Sequence, residues 1–180
     1  FLPDYTAYEE IFEVFKGFIP IPIVLEADDE FRLSPDTLKK EIIGRGLGAV
    51  LLSNPTNPTG QVLYGKRLSE VIEVAKQYNC SMIFDEFYSH YIYRDDLAHG
   101  STVSAARHVD DVDKDSIIVI DGLTKNWRYP GLRLSWTLGP KEIISKISSV
   151  GSFLDGGASH AIQKAAIPLL TDEIANEETE

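Results

Sequence analysis

The chain has 180 residues, of which 43% are hydrophobic, and a net charge of −11 at pH 7. This length is enough for one domain with a sizeable core, and an acidic balance without a basic stripe argues against nucleic acid as a partner. No apolar run approaches the ~20 residues of a bilayer span, so we expect no membrane segment. The single cysteine, Cys80, cannot form an internal disulfide, so we expect a reducing, cytoplasmic setting.

The N-terminal part of the chain predicts one helix and one extended segment. The chain begins at Phe1 without a basic region followed by an apolar one, so we expect no signal peptide and a processed or truncated chain. Apolar residues at helical spacing predict a helix over residues 5–16, with Asp4 as its cap. Residues 18–25 are apolar but contain two prolines. Each proline removes a backbone donor, so this stretch can form only an edge strand or an extended segment.

Helices and strands then alternate along the chain. Ser34 followed by Pro35 is a strong helix start, and this helix is predicted to reach about residue 45. The polar residues 94–116 predict a solvated loop with at most a helical turn, and residues 172–180, with five acids among nine, predict a solvated or frayed tail. The remaining predicted elements are strands at 49–53, 81–84, 117–120 and 132–138, helices at 66–78, 140–150 and 159–170, and a loop at 151–157.

This alternation predicts an α/β fold with a mainly parallel sheet flanked by helices. Three of about five candidate strands end on polar turns, at residues 54–60, 85–88 and 121–125. Neighbouring parallel strands bring their carboxyl ends to one edge of the sheet, so we expect the three turns to converge on a ligand site. Taken singly, the first turn is equally well explained as a tight connection and the second as an acidic helix start.

Lys125 lies just past the predicted strand at 117–120. A lone lysine on a loop is usually an ordinary surface residue. A nearby cation such as Arg133, or burial, would favour the neutral amine that attacks a carbonyl carbon. Pyridoxal phosphate uses such a lysine, with an acid facing its ring nitrogen, and Asp85 is the candidate acid.

Five further side chains could complete such a site. Asn57 and Tyr88 could donate hydrogen bonds to the phenolate oxygen of the cofactor ring. Thr124 and Arg133 could hold its phosphate. Tyr5 could stack on the face of the ring.

Three motifs together resemble the class I/II aminotransferases of fold type I. They are Asn-Pro-Thr-Asn-Pro-Thr-Gly at 54–60, Asp-Glu-Phe-Tyr at 85–88, and Thr-Lys with an arginine eight residues later. Their order and spacing match the family, and the resemblance extends from residue 3 to the helix after residue 159. It implies that Lys125 forms the Schiff base with pyridoxal phosphate and, once freed, moves the α-proton of the substrate. It also implies that Asp85 pairs with the pyridine nitrogen and that Asn57 and Tyr88 bond the ring oxygen. By the same resemblance, Arg133 binds the phosphate and Tyr5 stacks on the ring. Thr124 matches the small hydroxyl residue before the lysine.

The chain departs from the family in one residue and in its length. Gly122 stands where many members carry a serine that contacts the phosphate, so this contact is expected to be missing or supplied elsewhere. The resemblance places residues 1–171 in the large cofactor-binding domain, which is expected to be incomplete, and residues 172–180 in an acidic tail. It implies that the family's N-terminal segment and C-terminal small domain are absent, and that the full-length protein is a homodimer.

The resemblance implies a pyridoxal-phosphate-dependent aminotransferase that acts on an amino acid and a 2-oxo acid. The alternatives are a lyase, synthase or cyclase on the same scaffold, or a catalytically incomplete fragment with a structural role. A nicotinamide-binding domain is disfavoured, because the glycines before residue 49 precede a strand, whereas a dinucleotide-binding loop follows one. The four histidines, including His99, lack metal-ligand spacing, so we expect no metal site.

Overall fold

The computed structural model describes residues 1–15, 17–97 and 101–179. Several of the predictions extend outside these ranges. It does not describe His99 or part of the loop predicted at 94–116. It also leaves out the final residue of the helix predicted at 5–16 and the final residue of the predicted acidic tail.

A four-stranded sheet forms the centre of the fold, with the strands in chain order across it. The first three strands are parallel to one another, and the fourth is antiparallel to the third. This mainly parallel sheet with flanking helices confirms the predicted fold class. The strands are β1 (Ala49–Ser53), β2 (Ser81–Asp85), β3 (Ile117–Gly122) and β4 (Ser135–Leu138).

Six α-helices surround the sheet in the described part of the chain. They are α1 (Ala7–Val14), α2 (Pro35–Arg45), α3 (Gly65–Gln77), α4 (Lys141–Leu154), α5 (His160–Ala166) and α6 (Asp172–Thr179). Ser34 caps α2 as predicted, because its hydroxyl accepts a hydrogen bond from the Thr37 N–H at 3.0 Å. None of the described helices is long and apolar enough to cross a membrane.

The larger hydrophobic core forms where α2 and α3 pack with the sheet. Leu68, Ile72 and two further residues of α3 are buried, and their helical spacing in the sequence puts them on one face. They pack in one cluster with Met82 and Phe84 of β2, whose side chains are fully buried. Burial of these apolar side chains is the main source of free energy that holds the sheet and helices together.

The segment at 18–25 is extended but does not join the sheet. Its only bridge in the described structure pairs Val24 with Leu2, where the Leu25 N–H donates to the Leu2 carbonyl at 2.8 Å. Pro20 and Pro22 lack the N–H groups that a ladder needs, which explains why the sheet has four strands rather than the five expected.

The helix α4 is longer than predicted. The sequence places its end at residue 150 and a loop at 151–157, but α4 continues through Gly151 to Leu154. A single interior glycine costs a helix only about 1 kcal/mol. The chain leaves the helix at Gly156 instead, whose φ of 72° is the left-handed conformation that ends many helices.

The C-terminal region also differs from its prediction. The helix predicted at 159–170 is broken after Ala166, because Pro168 cannot continue the helical hydrogen bonds, and a 3₁₀ turn follows. The tail predicted to be frayed forms α6, whose Ile174 and Ala175 pack on a second cluster of buried residues. Acids in its first turn favour this helix. The division of the chain into domains at residue 171 stays a prediction.

Replacing Leu68 with alanine should destabilise the fold through the larger core. The Leu68 side chain is 1% exposed, and we expect the free energy of unfolding to fall by about 2–5 kcal/mol, since apolar contacts are lost and a cavity remains. Lys66→Ala on the same helix is the control, because the Lys66 side chain is 89% exposed, and its effect should stay within about 0.5 kcal/mol. Urea unfolding followed by circular dichroism measures both, and equal losses would contradict the placement of Leu68 in the core.

Candidate functional site

The three polar turns lie at one edge of the sheet. The parallel register places Ser53 opposite Asp85, and Asp85 opposite Ile120. The pairing continues one step into the turns, because the Asn54 N–H donates to the Asp85 carbonyl and the Glu86 N–H to the Ile120 carbonyl, each at 2.8 Å. The turns that begin after these strands therefore converge, as the sequence predicts.

Asn54 organises the first turn, in which two prolines lack backbone donors. Its side chain is 1% exposed; its amide nitrogen donates to the Leu63 carbonyl, and its oxygen accepts from the Leu63 N–H, both at 2.8 Å. The side chain thus supplies hydrogen bonds that a neighbouring backbone would supply in a strand. Asn57 follows in this turn, and its N–H donates to the Ser53 hydroxyl at 3.2 Å.

An open pocket of about 410 Å³ lies beside this turn, with Asn57 and Tyr88 both in its wall. Tyr91 and Arg94 also line it. Its volume is within the range of small-molecule sites. A cavity of about 40 Å³ near Phe1 is too small for an aromatic ligand. The pocket between the first two turns is therefore the candidate binding site, and it contains two of the predicted residues.

Asp85 at the end of β2 is held through both carboxylate oxygens. The Phe87 N–H donates to Oδ1 at 3.2 Å, and the Tyr8 hydroxyl donates to Oδ2. Burial, together with the Asp85 carboxylate, raises the pKa of the Tyr8 phenol above its ordinary value. Tyr8 therefore stays protonated and is the donor in this hydrogen bond.

Tyr8 belongs to the candidate site through its bond to Asp85, although the sequence predicts it only as part of the helix at 5–16. Its ring makes an edge-to-face contact with the ring of Tyr5, with the centroids 5.6 Å apart. The two tyrosines are three residues apart, a spacing that puts side chains on one face of a helix. That spacing is the signal that could have identified Tyr8. Asp4, predicted as the helix cap, instead accepts a hydrogen bond from the Ser53 hydroxyl at 2.7 Å.

Lys125 lies in the turn after β3, and its side chain is exposed. Its Nζ is 5.9 Å from the centroid of the Tyr88 ring, which places the amine beside the pocket wall. Its carbonyl accepts hydrogen bonds from the Tyr91 hydroxyl and the Arg128 N–H, both at 2.9 Å. The structure therefore brings Lys125 together with Tyr88, as the predicted site requires.

Arg133 and Thr124 form no hydrogen bond with Lys125, Tyr88 or Asp85 in the described part of the chain. The strand predicted from residue 132 starts only at Ser135, because Arg133 has a φ of 51°, which does not fit a strand. The exposed Arg133 guanidinium donates to the Pro130 carbonyl at 3.1 Å. Thr124 is half-buried. Their phosphate-binding roles stay predictions, as does ring stacking by the exposed Tyr5.

Gly122 has no space for a side chain. A Cβ atom built there would lie 2.7 Å from the Leu134 carbonyl oxygen and 2.9 Å from the Cα of Ser135. Gly122 is paired with Ser135 across β3 and β4. The departure from the family's serine is therefore a packing requirement of this chain, and a phosphate contact from this position is closed to it.

Two further carboxyl groups, the buried Glu86 and the partly buried Asp121, lie near Asp85. Burial raises the pKa of Asp121 to about 7, with repulsion from Glu86 and Asp85 in the same direction. Burial likewise raises the pKa of Glu86 to about 7. Backbone N–H groups of Gly122 and Ala105 donate to these carboxyl groups at 2.6 Å. Both groups are therefore partly protonated near neutral pH.

The side chains at this edge suit pyridoxal phosphate in their chemistry. An ionised carboxylate can face a protonated ring nitrogen, an amide and a phenol can bond a ring oxygen, and an amine can attack an aldehyde. Histidine, cysteine and carboxylate side chains do not gather in threes in a way that could hold a metal ion within the ranges that the structure describes.

Comparison with known proteins gives consistent matches. The family model described as aminotransferase class I and II matches residues 1–180. An aspartate aminotransferase of Pyrococcus abyssi is 32% identical over 160 residues, which are 89% of this chain and 39% of that protein. A glutamate-pyruvate aminotransferase of Escherichia coli K12 is 31% identical over 172 residues, with 91% and 40% of the two chains covered. The chain thus spans about two fifths of the length of these relatives.

A solved structure has the same fold. The aromatic aminotransferase of Pyrococcus horikoshii superposes with a TM-score of 0.83 at 29% sequence identity. The match covers 99% of this chain and 46% of that one.

Gly122→Ser should lower stability and leave phosphate binding unimproved. The added Cβ would overlap backbone atoms of Leu134 and Ser135, which cannot rotate away as a flexible side chain can. We therefore expect the free energy of unfolding to fall by about 1–3 kcal/mol. Gly131→Ser is the matched control, because a Cβ there meets nothing within 4 Å. Thermal unfolding measures the difference. A Gly122→Ser protein as stable as the control would show that β4 can move aside.

Asp121→Asn should flatten the dependence of stability on pH. Because the folded protein holds the pKa of Asp121 at about 7, against about 4 when unfolded, the folded state binds more protons between these values. The contribution of Asp121 to the stability of the parent should fall as pH rises from 5 to 7, by on the order of 1–3 kcal/mol, whereas that of Glu86 falls in both proteins. Asparagine has no proton to lose, so the variant should lose less. Melting temperatures between pH 5 and 8 test this, and parallel curves for the two proteins would contradict it.

Proposed function

We propose that this protein is a pyridoxal-phosphate-dependent aminotransferase, because the chain belongs to the aminotransferase class I and II family. It moves an amino group between an amino acid and a 2-oxo acid. The observation that carries the proposal is the convergence of the turns that hold Lys125, Asp85, Asn57 and Tyr88 at one edge of the sheet. Asn57 and Tyr88 line the open pocket there.

Lys125 has two tasks in this proposal. Its amine would hold the cofactor by condensing with the cofactor aldehyde, with loss of water. Once free, the same amine would take the α-proton of the substrate and return a proton at the end of the transfer. Pyridoxal phosphate, when bound, supplies the electron sink that makes this α-proton acidic.

Asp85 maintains the charge that this chemistry needs. Its ionised carboxylate stabilises a proton on the ring nitrogen, and the hydrogen bonds from Tyr8 and the Phe87 N–H hold the carboxylate in place. Asn57 and Tyr88 donate to the ring oxygen from the pocket wall.

The remaining assignments concern the rest of the cofactor. Arg133 and Thr124 hold the phosphate, and Tyr5 stacks on the ring. The guanidinium of Arg133 is exposed and donates a hydrogen bond to the Pro130 carbonyl, and its planar set of donors suits a phosphate.

The names of the relatives favour amino transfer over other reactions on this scaffold. One relative is named an aspartate aminotransferase and another a glutamate-pyruvate aminotransferase. These names support an amino acid and a 2-oxo acid as the substrate class. We also infer that the full-length protein is a homodimer in the cytoplasm, in keeping with the single, buried Cys80.

Absorbance spectroscopy of the full-length protein with added pyridoxal phosphate tests the proposal. We expect a visible band that withstands dialysis and that an amino acid bleaches, because the amino group passes to the cofactor. Lys125→Ala should lose the dialysis-resistant band, whereas Lys66→Ala, which removes an exposed amine on α3, should keep it. A band that is unchanged in Lys125→Ala would overturn the assignment of the lysine. A band that no amino acid bleaches would overturn amino transfer.

A further inference from the structure

Asn126 joins the turn after β3 to the turn after β2. Its side chain is buried, with 1% exposed. The amide nitrogen lies 3.0 Å from both the Glu86 carbonyl oxygen and the Ser89 hydroxyl, and 2.9 Å from Asp121 Oδ1. The amide oxygen accepts from the His90 N–H at 3.1 Å. Because a carbonyl must face the nitrogen and an N–H must face the oxygen, these partners determine the orientation of the amide.

Tyr91 makes a second connection between the same two turns. Its hydroxyl donates to the Lys125 carbonyl at 2.9 Å. Its ring packs against the ring of Tyr88 at a centroid distance of 5.8 Å and an angle of 73°. The Arg128 N–H donates to the same carbonyl oxygen, which has two lone pairs, so both hydrogen bonds can form together.

These two connections lie on either side of the bond from Lys125 to the next residue. Tyr91 holds the carbonyl of Lys125, and Asn126 holds the residue that follows. The Lys125 side chain is long, flexible and exposed, so the direction in which it leaves the backbone depends on how this turn is fixed. A misplacement of about 1 Å can slow a reaction about 100-fold when the reacting atoms must meet in one geometry.

The chemistry of the surroundings suits a neutral donor at position 126. Asp121, which Asn126 contacts, lies near the carboxyl groups of Glu86 and Asp85, and like charges there oppose ionisation. An amide donates a hydrogen bond without adding charge. A carboxylate at this position would add a fourth acid to the group, and the connection between the turns would become repulsive.

We propose that Asn126 and Tyr91 are positioning residues that hold the Lys125 turn against the Asp85–Tyr88 turn, so that the Lys125 amine reaches the carbonyl carbon of pyridoxal phosphate. The proposal rests on the proposed function, because it assumes that Lys125 is the reacting amine. Tyr91 also lines the pocket, but Tyr91→Phe keeps the ring there and removes only the hydroxyl that donates to the Lys125 carbonyl. The effect of each lost hydrogen bond on cofactor binding therefore passes through Lys125 and disappears when that lysine is removed.

A double-mutant cycle on the full-length protein tests this dependence. Tyr91→Phe and Asn126→Ala are each made in the parent and in Lys125→Ala, and the dissociation constant of pyridoxal phosphate is measured by equilibrium dialysis. With Lys125 present, we expect each change to weaken binding about threefold to tenfold, the range for a lost hydrogen bond. With alanine at position 125, the same changes should alter binding less than about twofold, since no lysine remains to be positioned.

Two control variants separate positioning from loss of stability. Tyr64→Phe removes a phenol that donates to Asp96 at an exposed site, and Leu68→Ala destabilises the core at α3. Both should leave the dissociation constant within about twofold of the parent, whatever their melting temperatures. Tyr91→Phe keeps its ring and should fold, so it decides the question if Asn126→Ala does not fold.

Each other outcome overturns the proposal. Equal weakening with and without Lys125 would make Asn126 and Tyr91 a general scaffold of the pocket. Unchanged binding in both backgrounds would show that neither residue acts on the lysine. A parent protein without a visible band would overturn the proposed function and this inference with it, whereas a normal band with equal weakening overturns this inference alone.

Discussion

The parallel pairing of β1, β2 and β3 is the constraint on which the candidate site depends. It places Ser53, Asp85 and Ile120 side by side, and it continues into the turns through the Asn54 and Glu86 N–H groups. A shift of one strand by a single residue would move its end by roughly 3 Å and turn its side chains to the opposite face of the sheet. Asp85 would then no longer face Tyr8, and the turn with Lys125 would no longer lie beside Tyr88.

Hydrogen bonds within the protein offset the cost of burying polar groups at this edge. Asn54, Glu86 and Asn126 are each at most 2% exposed, and a buried polar group without a partner costs about 1–3 kcal/mol. Asn54 bonds Leu63, Glu86 accepts from the Ala105 N–H, and Asn126 bridges two turns. This internal bonding lets polar turns lie against the apolar core and keeps their geometry defined.

Much of the fold follows from short-range signals in the sequence. Ser34-Pro35 predicts the start of α2, and the spacing of Leu68 and Ile72 predicts the buried face of α3. The end of α4 was harder to predict, because Gly151 and Gly156 differ only in backbone conformation, which composition does not encode. The ordered tail depends on packing between Ile174 and a distant cluster. Such long-range contacts leave no local pattern.

The candidate site was predictable where its residues form motifs. Asp85, Lys125, Asn57 and Tyr88 belong to recognisable stretches, and the structure places these stretches together. Tyr8, Tyr91 and Asn126 act through single hydrogen bonds to residues 34 or more positions away, or to several partners at once. Their roles depend on a tertiary arrangement. The spacing of Tyr8 from Tyr5 is a local signal for Tyr8, but neither residue type nor spacing identifies Tyr91 and Asn126.

The close approach at Gly122 has an evolutionary consequence. Since a side chain at this position would collide with the backbone of residues 134 and 135, a serine could be accepted only together with a change in the path of β4. Two changes that are each harmful alone form a barrier to stepwise mutation. A glycine at position 122 and the present path of β4 therefore depend on each other in this chain.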